Sequence, residues 1–147
     1  MVNIQDLDKR VQYLLNNETK TNCFQAVLYV TGLTEEFRLF GEGEFLNILR
    51  KNCQLIAPGM PTQKGNIICM TYGEDRCQHA FLRWNDDKTV FQRQGPDPDH
   101  KHEIVSLTDA LMGYYVKLTA LLIESGDETI KNLMLLSPRI LCFRVKS

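Results

Sequence analysis

The sequence predicts an α+β domain in which N-terminal helices pack on a small antiparallel sheet. Three observations carry that reading. Apolar residues recur at helical spacing through about the first fifty positions. The period then drops to two over a stretch that reads as paired strands. A final helical stretch and one more strand close the chain. Elements grouped in this way, rather than alternating one for one, favour an antiparallel sheet over a parallel one. With 147 residues, and no repeat or linker to divide them, residues 1–147 form a single domain able to bury a core.

The elements follow in order. Ile4, Leu7, Val11 and Leu14/Leu15 lie on one helical stripe, predicting a first helix over 4–16. After a polar loop, Thr21 or Asn22 can cap a second helix that runs through Leu28–Val30, and Gly32 is suited to end it. A shorter third helix is expected over 43–53, with Phe45, Leu46, Leu49 and Cys53 on one face. The stretch "APGMPTQKG" is turn-rich. "NIICMTY" reads as a buried strand, and "QHAFLRW" as an alternating one that "NDDK" turns back into "TVFQRQ". "GPDPDHKHE" is expected to be a solvated loop holding His100 and His102. Ser106 would then cap a long helix over 106–124 with a broad apolar stripe, a short helix would follow near 127–136, and "RILCFRV" would be the last strand.

Composition narrows the function. A net charge of −1 with scattered basic residues gives no field for nucleic acid or an anionic membrane surface. "MVNIQDLDKRVQYLL" is too polar for a secretory signal, and no apolar run approaches the ~20 residues of a spanning helix. The expected location is the cytoplasm, or delivery by a route that reads other signals. Five widely spaced cysteines fit reduced thiols better than a disulfide framework. No C-x-x-C occurs, and no ligand pair has structural-zinc spacing, so no metal or cofactor is expected.

The chemistry centres on "TNCFQAVLYVTGL", where Cys23 sits in the first turn of the second helix. Converging backbone N–H groups there lower a thiol's pKa and can later hold an oxyanion. Cys53 would lie at a helix end of opposite dipole, and Cys69 and Cys142 inside apolar strands. Of the three histidines, His79 opens a strand able to aim its ring, whereas His100 and His102 are expected in a loop. A further polar group should orient the imidazole. Gln92, on the returning strand, is the preferred candidate; counted from the hairpin turn, Phe81 faces Gln92 and His79 faces Gln94, so register alone leaves both open.

The segments "NCFQAVLYVTGL", "KGNIICMTY" and "QHAFLRWNDDKTVFQRQG" together resemble the NlpC-type (CHAP-like) branch of papain-like cysteine amidases and peptidases, over about residues 20–95. The resemblance implies a papain-like fold with Cys23 as nucleophile, His79 as general base and Gln92 as the third polar residue. Asn66 in "KGN" stands where the family's turn has Asp, and Asn22 precedes Cys23 where Asp is usual. Gln at the third position orients the ring without adding charge. The expectation is thus a thiol-dependent hydrolase or acyltransferase acting on an amide or peptide bond, a peptide or protein being the substrate. Backbone N–H groups, with the Asn22 side chain, would hold the oxyanion. The alternative is a papain-like scaffold without turnover that binds another protein.

Overall fold

The first helix, α1 (Ile4–Asn16), follows from its apolar stripe: Leu7, Val11 and Leu14 are buried while Tyr13 and Asn16 face outward. α2 (Cys23–Val30) is short and buried almost all round, which its sequence requires because seven of its eight residues are enclosed. Such a helix forms where it is capped. The Asn22 side chain accepts the Gln25 N–H at 3.0 Å, and Gly32 beyond its end takes φ 78°, where a Cβ would be strained. α3 (Glu42–Asn52) has no side-chain cap, but carries Glu42 and Glu44 in its first turn and Arg50 and Lys51 in its last, matching the helix dipole.

The computed structural model describes residues 4–17, 19, 21–57, 59–72, 76–85, 88–97, 99–113 and 138–146. Within them a six-stranded sheet has the order β1-β6-β2-β3-β4-β5, every pair antiparallel. The strands are β1 (Cys53–Leu55), β2 (Ile67–Tyr72), β3 (Arg76–Arg83), β4 (Thr89–Arg93), β5 (His102–Ser106) and β6 (Pro138–Val145). The hairpin register is the expected one, Leu82 opposite Phe91 and Arg83 opposite Val90. Between Met70 and Thr71 the β2–β3 ladder shifts by one residue, so β3 carries an extra residue beside His79.

Side chains alternate across this sheet. Ile67, Cys69, Ala80, Leu82, Phe91 and Phe143 face the three N-terminal helices and share one core with Phe45 and Leu49. Ile68, Met70, Phe81 and Val90 form a second core on the opposite face, closed by Ala110 of a fourth helix described over 107–113. Ser106 Oγ accepts the Asp109 N–H at 3.0 Å and so caps that helix, as expected.

Three expectations are corrected. Cys53 is not a helical residue of α3: in extended conformation it caps the helix end and at once starts β1, an edge strand opposite Phe143–Val145. Residues 102–106, read partly as loop, form β5 along β4, because Glu103–Ser106 finds a partner that no local pattern announces. His102 is consequently 8% exposed, not solvated. The helix expected near 127–136 lies outside the described residues, as does the end of the one expected over 106–124.

Candidate functional site: Cys23, His79 and Gln92

α2 delivers Cys23 as its first residue, against β3. The β3–β4 ladder holds only the two pairs nearest the turn, so the Ala80 N–H, which would continue it, is left to another acceptor. The Cys23 sulfur takes that role, and it also receives backbone hydrogen bonds from Cys23 and Phe24. This is the convergence of N–H groups that a helix start provides. Yet burial outweighs it. The thiol, 6% exposed and beside Cys77, is pushed up to about 12 by desolvation, with the N–H groups recovering only part of the loss. The expectation of a ready-made thiolate is therefore corrected: the sulfur rests as S–H.

His79 is 3% exposed and lies one residue from the amide that meets this sulfur. It is opposite Met70 and its ring sits 5.6 Å from that of Phe81, so it belongs to the sheet face turned away from α2. Where β3 and β4 part, His79 Nε2 lies 2.8 Å from Gln92 Oε1. Gln92 Nε2 in turn donates to Glu103 Oε1 at 2.8 Å. This chain fixes the tautomer. A carboxylate only accepts, so the Gln92 amide nitrogen faces Glu103 and its oxygen faces His79. The histidine hydrogen is on Nε2, and Nδ1 is the nitrogen able to take a proton.

The structure thus joins His79 to Gln92, rather than to Gln94, but it does not face the His79 ring to the Cys23 sulfur: Cys23 meets the neighbouring Ala80 amide from the helical side, and the ring lies on the other face of the sheet. Glu103 was not foreseen, since it lies on the strand read as loop. Period-two alternation in "HEIVS" is the signal that could have found it. Asn22 is placed beside Cys23 but is committed elsewhere. Its oxygen caps Gln25, and its Nδ2 donates to Phe40 O at 2.8 Å, so the expected oxyanion role falls to backbone groups. Asn66, in the turn before β2, accepts the Gln63 N–H at 2.7 Å, closing a local loop as an Asp would. Near the other edge, His102 stacks on Phe91 with ring centroids 5.9 Å apart.

Among the described residues no helix is long and apolar enough to cross a membrane, and no group of three His, Cys, Asp or Glu side chains is arranged to hold a metal ion. Compared with protein-family models, with curated proteins and with solved structures, the chain finds no match.

Proposed function

We propose that this chain is a thiol-dependent acyl-transfer enzyme on a papain-like scaffold, with Cys23 as nucleophile, His79 as general base and Gln92 as the residue that orients it. One observation carries the reading. A histidine whose Nε2 is held by Gln92 at 2.8 Å stands one residue from the amide that contacts a thiol at a helix start. With the thiol protonated at rest, the reaction begins by general-base catalysis rather than from a preformed ion pair. The sulfur bonds to the amide carbon as its proton passes to His79, on the other face of the sheet, through water at the gap where β3 and β4 part. The carbonyl oxygen gains the charge, and the N–H groups of Phe24 and Ala80, which hydrogen-bond the resting sulfur, are the proposed donors to it. The C–N bond then breaks, His79 returns the proton to the leaving amine by the same relay, and water or another amine releases the thioester. The substrate class is an amide or peptide bond, on a peptide or protein, met in the cytoplasm or after delivery.

The enclosed thiol supports a second reading, a papain-like scaffold without turnover that binds another protein. Iodoacetamide labelling of the intact chain across pH 6–9 separates them. The enzyme reading expects Cys23 to label faster than the other four cysteines, and His79→Ala to slow it and shift its pH profile. Uniformly slow labelling of all five, indifferent to His79→Ala, leaves only the binding scaffold.

A further inference from the structure

Arg83 is the last residue of β3 and is only 9% exposed. Its Nε has no hydrogen-bond partner, and among the described residues no carboxylate forms an ion pair with its guanidinium. A buried cation without an anion is costly, and structures that keep one supply a counter-charge. Arg83 is two residues beyond Phe81 and shares its face. Its charge reaches the Cys142 thiol, which belongs to the same core and which it pulls down against burial.

A second guanidinium is near. Arg144 follows Cys142 by two on β6, so it has the same face, and it is exposed. Ile67 lies between Leu82 and Phe143 in register, so the next rung sets Asn66 between Arg83 and Arg144. The Arg83 N–H bonded to Asn66 O at 2.8 Å marks that rung. Two strand spacings of about 4.8 Å put the two backbones about 10 Å apart, within reach of two long side chains converging on one group. Guanidinium forks match the geometry of carboxylate and phosphate oxygens.

We infer that Arg83, with Arg144 beside it, forms a binding site for a small oxyanion, a carboxylate or a phosphate, on the sheet face opposite the Cys23 helix. The site is separate from the acyl-transfer reading and stands or falls without it.

Thermal unfolding of the intact chain tests it, in chloride buffer of constant ionic strength, with inorganic phosphate or succinate titrated in. The wild type is expected to gain melting temperature saturably with one of them, and the larger response tells phosphate from carboxylate. Arg83→Met should show no response and, without added anion, melt no lower than the wild type. Arg144→Gln should need about tenfold more anion for the same shift. An unresponsive wild type, or an equal response in Arg83→Met, overturns the site. So does a marked loss of stability in Arg83→Met without anion, since the guanidinium would then be serving a carboxylate of the chain itself. If Arg83→Met does not fold, the exposed Arg144→Gln decides, and an unchanged midpoint refutes the proposal.

Discussion

Acidification should destabilise this protein through His102. The ring is stacked on Phe91 with an interplanar angle of 2°, and its Nε2 is buried without a partner. Burial first, and then the Arg93 charge, lower its pKa from 6.5 to about 4. Arg93 is held there by its own bonds to Gly95 O at 2.9 Å and Asp97 O at 3.4 Å, so it does not withdraw. Since the folded pKa lies below the unfolded one, the unfolded chain binds more protons between pH 6.5 and about 4. Stability is therefore full above pH 6.5 and falls as pH drops through that window. At 1.36 kcal/mol per pKa unit the ceiling is about 3 kcal/mol. Residual exposure and relaxation around a protonated ring reduce this to about 1–2 kcal/mol. Urea unfolding of the wild type and of His102→Gln at pH 7.5 and 4.5 measures it. Carboxylates titrate in both proteins, so the difference between their pH slopes isolates the imidazole. The wild type should lose about 1–2 kcal/mol more than the variant. Parallel slopes, or a His102 ring that titrates near pH 6.5 by NMR, would refute the reasoning.

Other consequences follow from packing and backbone geometry. Phe45 is fully buried and stacked on Phe24 at 4.6 Å, so Phe45→Ala should cost about 3–5 kcal/mol in urea unfolding. Asn22→Ala removes both a helix cap and the bond to Phe40 O, and should cost about 1–3 kcal/mol by the same measurement. Lys88 has φ 63°, the left-handed region that favours glycine. Lys88→Gly should therefore leave the fold intact and raise stability by up to about 1 kcal/mol, seen as a higher melting temperature.

The local part of the fold was legible in the sequence because it rests on short-range rules. Leu7, Val11 and Leu14 announce α1 by spacing alone, and Asn22 and Gly32 bracket α2 through cap chemistry that each residue carries with it. The β3–β4 register follows from turn length, which places Leu82 opposite Phe91 wherever the hairpin later packs. β5 was not legible, since "GPDPDHKHE" has the composition of a loop and its strand character comes from pairing with β4. Losing β5 from the reading also lost Glu103 from the site and misjudged His102.

Residue type and spacing determined which groups the fold carries to one region: a cysteine at a helix start, and a histidine and glutamines on neighbouring strands. The tertiary structure alone decided which of them touch, Gln92 rather than Gln94 at His79 with Cys23 across the sheet, and their chemical state. How far a thiol is desolvated depends on α3 and the sheet closing around it, and at Cys23 that burial exceeds what the local N–H groups return. Which His79 nitrogen carries the hydrogen depends on Glu103, eleven residues beyond Gln92 and brought to it only by strand pairing. Protonation answers to the whole surrounding volume, and a sequence shows a residue's neighbours along one line only.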